Sequence, residues 1–161
     1  MTVSLQEPFI IGLRDRLETQ LPATIDALNS AMVAPIYPLV YPAKVIDYIP
    51  TVAELDILPV IGISDGDIYF QDDVGWGATG VFDVTVVAFV QAPDQRELVW
   101  LLRRYSQALV RVMLSTQSIG DSWGITLRHV RPGPTLGRDE TPRQWLSTTA
   151  VTVTVKNEQD E

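Results

Sequence analysis

The sequence predicts an α+β fold: mostly antiparallel β-sheet packed against an N-terminal helix and one long amphipathic helix. Three observations lead there. Between Val81 and Gln117 the spacing of apolar residues changes from alternation to a helical repeat, with Pro93 and Asp94 at the change. The run from Trp145 to Lys156 alternates along its whole length, the pattern of an antiparallel strand with one buried face. The elements also come in the order helix, strands, helix, strands, unlike the regular alternation of a doubly wound fold.

Composition bounds the rest. A chain of 161 residues is long enough to bury a fair-sized core as a single domain over 1–161, and 46% apolar with 20% charged residues is ordinary for a soluble globular protein. There is no cysteine, so neither a disulfide framework nor a thiolate metal site is available. The first residues lack a basic stretch followed by an apolar core, and no apolar run approaches the roughly 20 residues of a membrane helix. An aqueous, cytoplasmic setting without membrane contact is the expectation. Lys and Arg number 12 against 20 Asp and Glu, for a net charge of -8. Gripping a phosphate backbone takes a clustered cationic excess, so nucleic-acid binding is disfavoured. The acids bunch at Asp65, Asp67, Asp72 and Asp73 and again at Glu158, Asp160 and Glu161. Such runs are solvated loops and tails, or line a surface that must repel DNA.

An N-terminal helical region is expected over 5–32. Leu5, Phe9, Leu13 and Leu17 recur four apart with Ile10 and Leu21 beside the row, predicting a helix from Leu5 to Gln20. Pro22 lacks a donor and clashes with the preceding turn, so the helix should kink or restart there, with a second stretch from Ala23 to Met32. A proline-rich segment follows over 34–50, where Pro35, Pro38, Pro42 and Pro50 interleave with Ile36, Tyr37, Leu39, Val40, Tyr41 and Tyr48. That density excludes a helix or central strand and predicts an extended wrap with its aromatics packed down. The α+β core is placed at 57–156 and an acidic tail at 157–161.

Within the core, Leu58 to Ser64 reads as a short strand, separated from Ile68-Tyr69-Phe70 by Asp65-Gly66-Asp67. Gln71 to Gly80, with glycines around Trp76, reads as a flexible loop. The strand from Val81 to Val90 sets Phe82, Val84 and Val86 against Asp83 and Thr85, then turns apolar on both faces, as a central strand does. Asp94 and Glu97 have capping-box spacing at the start of the next helix. Its stripe runs through Leu98, Leu101, Leu102, Tyr105, Ala108, Leu109, Val112 and Met113, leaving Arg96, Arg103, Arg104, Gln107 and Arg111 mostly off it. A strand from Trp123 to Arg131 alternates Ile125, Leu127 and His129 against Thr126, Arg128 and Val130, and a loop over 132–142 joins it to the last strand. There Trp145, Ser147, Thr149, Val151, Val153 and Val155 share one face. No repeat of fixed period is present.

Residues that carry chemistry are few. His129 is the only histidine and sits between arginines in a strand, which points to a structural or solvent-facing role. Ser64 and Ser147 have no base of the right type nearby and lie in no Gly-x-Ser-x-Gly turn. Ser64-Asp65-Gly66-Asp67 begins like a calcium loop but lacks the downstream ligands, and Gly75-Trp76-Gly77 is followed by no Lys-Ser or Lys-Thr and by a strand. No catalytic, metal or cofactor-binding residues are therefore assigned. Two kinds of contact residue stand out instead: Trp76 with Tyr69 and Phe70, an aromatic anchor that a partner would bury, and Arg103, Arg104 and Arg111, which can pair with acids of an adjacent subunit.

The layout resembles the tail terminator and tail-completion (neck) proteins of tailed bacteriophages. The resemblance rests on the N-terminal helix ending in Leu21-Pro22, the strand Val81 to Val90, the Asp94-x-x-Glu97-Leu98 helix start with Tyr105 and Leu109, the Trp123-Gly124 strand opening and the final strand Trp145 to Val151. It is one of layout and covers nearly the whole chain. It implies a structural virion protein at the tail–neck junction, assembled in the host cytoplasm into a homo-oligomeric ring, commonly a hexamer. Such a ring caps the tail tube and meets tail-tube protein, tail sheath and a neck or connector protein. DNA would pass the lumen without specific binding, and Asp72 and Asp73 are candidate lumen-facing acids. Another head–tail connector or a tail-tube subunit shares this profile; a small cytoplasmic enzyme or ligand-binding domain is the reading from another class.

Overall fold

The period change at Pro93 is the hinge of the architecture. The computed structural model describes residues 6–72, 78–115, 123–139 and 142–157, and at 69–72, 78–79, 123 and 157 the backbone alone. Its elements are α1 (Glu7–Ser30), β1 (Lys44–Ile46), a 3-10 turn (Val52–Glu54), β2 (Val60–Asp72), β3 (Ala78–Ala92), α2 (Gln95–Ser115), β4 (Trp123–Pro132), β5 (Leu136–Arg138) and β6 (Gln144–Asn157). The six strands form one sheet in the order β1-β2-β3-β6-β4, with β5 also paired to β6. Among the described residues only β1 and β2 run parallel, and every other pair is antiparallel. The expected α+β architecture is the observed one.

Both α-helices cover the same face of the sheet. Phe82, Val84, Val86, Ala88 and Val90 of β3 and Val151, Val153 and Val155 of β6 are buried against the predicted stripe of α2 and against Phe9, Leu13, Leu17, Leu21, Ile25 and Leu28 of α1. Phe9 meets Phe82 edge to face with ring centroids 5.8 Å apart. α2 starts as the sequence indicates, with the Glu97 amide donating to Asp94 Oδ1 at 2.8 Å. The face turned away from the helices holds a smaller cluster of Leu55, Val60, Phe89 and Leu146. Beside it lies a polar row, in which Thr85 and Thr152 share a hydrogen bond of 2.9 Å and Thr154 donates to Asp83 at 2.7 Å.

Several expectations are corrected. α1 does not restart at Pro22: it is one helix of 24 residues with Pro22 inside it, ending at Ser30. Proline there removes only the amide that would reach the Glu18 carbonyl, and Glu18 is exposed, so water can serve that oxygen; burial of Leu17, Leu21 and Ile25 on the other side holds the helix together. β2 is not broken at Asp65-Gly66-Asp67. Pairing resumes after a bulge, Asp65 opposite Val84 and Ile68 opposite Phe82, so Gly66 and Asp67 together face Asp83. The expected loop from Gln71 narrows accordingly, because β2 runs to Asp72 and β3 begins at Ala78. A second bulge at Arg128 breaks the expected alternation of β4: Leu127 pairs with Val153 and Val130 with Val151, so both share the helix-side face, while His129 opposite Thr152 lies on the other. The expected loop over 132–142 contains β5.

The proline-rich segment is an extended strap containing the edge strand β1, as its prolines require. Not all its aromatics pack down: Tyr37 packs against the core, whereas Tyr41 and Tyr48 are 50% and 52% exposed. Leu39 sits in the helix-side core and Leu55 in the opposite cluster, so the chain from 39 to 55 passes from one face to the other. Gly62 makes room for this: a Cβ there would lie 2.8 Å from the Tyr48 carbonyl oxygen.

Candidate functional site

α2 carries most of the polar groups that sequence reasoning singled out, and they divide by direction. Arg104 turns inward along the strap. Its guanidinium donates to the carbonyls of Tyr37 (3.0 Å), Val33 (3.2 Å) and Pro35 (2.6 Å). A fork of fixed donors suits a run of carbonyls that proline keeps out of regular structure. Arg103 and Arg111 are exposed, and neither forms an ion pair among the described residues. Arg103 and Arg104 flank the Trp100 ring at 5.1 and 5.3 Å, a cation–π arrangement that orders both side chains.

Two further residues fasten the strap: Tyr105, which the sequence places in the apolar stripe without this role, and Asn29, which it does not pick out. Tyr105 lies in the apolar stripe with its hydroxyl donating to the Val40 carbonyl (2.7 Å) and accepting from the Val40 amide (3.0 Å). Burial pushes its phenol up to about 12, with the hydrogen bond to Val40 acting in the opposite direction. Asn29, near the end of α1, pairs with Leu39 in the same two-way manner at 2.9 and 2.8 Å. A tyrosine in a core stripe needs a partner for its hydroxyl, which was the available signal; that the partner is a backbone unit 65 residues away was not visible. Tyr41, at the strap's exposed end, donates to Asp26 at 2.5 Å, and that hydrogen bond raises its phenol.

The margins of the sheet are the other feature. Among the described residues β4 pairs with β6 on one side and with no strand on the other, and its residues from Thr126 to Arg131 are exposed. Between α2 and this margin lies a mainly apolar groove of about 480 Å³ lined by Val99, Leu102, Arg103, Val130 and Pro132 among others. On its floor Ser106 and Thr149 share a short hydrogen bond. At the opposite margin β1 covers only Val60 to Gly62 of β2.

The expected aromatic anchor and the candidate lumen-facing acids fall where little is described. Tyr69, Phe70 and Asp72 lie in the last part of β2, where the backbone register alone is described, and Asp73 and Trp76 lie outside the described residues. Among the described residues, no group of three or more His, Cys, Asp or Glu side chains is placed to hold a metal ion. His129 is exposed on the β4 edge. The buried Ser147 hydroxyl shares its one proton between the carbonyls of Gly133 and Pro134, each at 3.2 Å, tying the turn after β4 to β6. No described helix is long and apolar enough to cross a membrane. What these surfaces offer is contact: exposed arginines, an apolar groove and strand edges.

No protein-family model and no curated protein matches the chain in sequence. Among solved structures, the fold matches a chain of the virion of the native gene transfer agent (GTA) particle. That match covers 97% of this chain and 100% of the other, with a TM-score of 0.56 and 12% sequence identity. At that identity the likeness is one of fold, from the first helix to the last strand.

Proposed function

We propose that this chain is a structural subunit of a phage-like virion, and that it forms a homo-oligomeric ring, commonly a hexamer in the proteins it resembles, at the head-proximal end of a tail. The ring caps the tail tube and docks it to the neck. Its partners are tail-tube protein, the sheath where the tail is contractile, and a neck or connector protein. DNA traverses the lumen without specific binding. One observation carries the reading: the fold corresponds end to end with a chain of a GTA virion. The net charge of -8 and the exposed arginines and strand edges suit a role in assembly around DNA.

Mass photometry of the purified chain, with and without a tail-tube protein, tests the proposal. Closed rings of one size that terminate tube growth are the expected result. Open-ended tubes from this chain alone would make it a tube subunit instead. A species that stays monomeric under both conditions would remove the ring.

A further inference from the structure

We infer that copies of this chain associate head to tail through the two free edges of the sheet, the basic edge of β4 in one copy meeting the acidic edge of β2 in the next. The inference rests on the ring reading above and deepens it by naming the surfaces that meet.

The two edges match in height. Following the register across the sheet, Asp65 of β2 is level with Val84 of β3, Val153 of β6 and Leu127 of β4. The next matched row runs Ile68, Phe82, Val155, Ile125. The β2 bulge lies between those two rows, and the β4 bulge starts at the first of them, just after Leu127. At the bulges the exposed charges are opposite, Asp65 and Asp67 on one edge and Arg128 on the other, while Arg131 lies three residues further along β4, level with Gly62 where β1 covers β2. None of these four side chains is in an ion pair among the described residues. From Ile63 to Asp72 the outer edge of β2 pairs with no strand among the described residues, and at its bulge Gln6 Nε2 donates to the Gly66 carbonyl at 2.6 Å.

Direction and hydrophobicity agree with charge. Counting through the antiparallel pairs, β4 runs opposite to β2. A rotation about an axis near the strand direction therefore brings β4 of one copy beside β2 of the next as antiparallel neighbours, with each copy using both edges, the requirement for a closed heterologous ring. On the helix side of the β4 margin Leu127 and Val130 remain exposed at 36% and 42%, and Val130 lines the apolar groove together with Val99. Bulges and charged side chains by themselves also guard an edge against self-association. This one combines a charged rim with an apolar strip, as a protein interface does.

Charge exchange tests the inference on the full chain. Arg128→Glu with Arg131→Glu reverses one edge, and Asp65→Arg with Asp67→Arg reverses the other. All four positions are exposed, so circular dichroism and melting should match the parent. Each doubly substituted chain alone is expected to lose the oligomer in mass photometry. An equimolar mixture should recover it, with the two chains alternating by native mass spectrometry, and the neutral pair Asp65→Asn with Asp67→Asn should weaken assembly less than reversal does. Parent-sized oligomers from either reversed chain alone, or monomers that do not recover on mixing, would overturn the edge pairing while leaving the ring intact. A parent chain that is monomeric even at low salt would overturn the ring itself. Aggregation of the reversed chains in place of dissociation would show that the bulges and charges guard the edges, and would equally overturn the inference.

Discussion

On the helix-bearing face of the sheet, alternate residues of β3 and β6 are buried against α1 and α2; on the other face the same strands present threonines and one small apolar cluster. Phe82 is 0% exposed within the first, and Phe89 is 7% exposed in the second, under cover that includes Leu55. The difference teaches where stability and function can be separated. One face is closed by two long helices, whereas the other depends on the far end of a strap that is fastened on the first.

The largest test of that contrast is a pair of truncations. Phe82→Ala should cost about 3–5 kcal/mol in urea unfolding, because a fully enclosed site with a ring partner cannot collapse around the lost volume. Phe89→Ala should cost less, about 2–3 kcal/mol, since a short covering segment can settle into the space. Equal losses would mean that the outer cluster is as rigidly closed as the core, and the distinction would fall.

Tyr105 tests how firmly the strap is fastened. Removing the hydroxyl in Tyr105→Phe leaves the Val40 amide and carbonyl to solvent and should cost about 1–2 kcal/mol. The pH dependence has a definite sign. With the folded phenol at about 12 and the ordinary value at 10.0, the neutral form is favoured by the fold, so its contribution is whole below pH 10 and drains away as pH rises toward 12. Chemical denaturation across that window should show the parent losing on the order of 2–3 kcal/mol more than Tyr105→Phe. Parallel profiles would detach Tyr105 from the effect.

How much of this was legible in the sequence depends on whether the signal was local. α2 with Asp94, the β3 alternation and the β6 face from Trp145 to Val155 follow from spacing, because each residue's burial is set by period and the sheet supplies only the surface. Pro22 and Asp65-Gly66-Asp67 misled for one reason. Each is a breaker by local chemistry, and each is overruled by a tertiary contact, the buried row of α1 in one case and pairing with β3 in the other. The candidate contacts were legible as residue types only. Nothing near Arg104 in the sequence indicates that three strap carbonyls occupy it, while Arg103, one position earlier, faces outward. The free edges were illegible altogether, since an edge is defined by strand order.

That adjacent pair of arginines provides the next contrast. Arg104→Ala should loosen the strap, costing about 1 kcal/mol because water can replace part of what the carbonyls lose, and should raise amide exchange over residues 33–41. Arg104→Lys should recover little of it, as an ammonium cannot reproduce the planar fork. Full protection of the strap in both variants would leave its fastening to Tyr105, Asn29 and the Tyr41–Asp26 hydrogen bond.

Arg103 and Arg111 should behave in the opposite way. Both are exposed and outside any ion pair among the described residues, so Arg111→Glu should change unfolding free energy by no more than about 0.5 kcal/mol, and Arg103→Glu, which also gives up its place over the Trp100 ring, by about 0.5–1 kcal/mol. If the outer face of α2 contributes to the subunit contact, the same reversals will lower the oligomer fraction in mass photometry, and Arg103 will have the stronger effect. It lines both the groove beside β4 and the one toward the end of α1, whereas Arg111 lines only the second. Because the protomer's stability is nearly unaffected, any loss of oligomer is attributable to the surface. Assembly that withstands both reversals would remove this helical face from the contact and leave the proposed pairing of sheet edges as the candidate for joining copies.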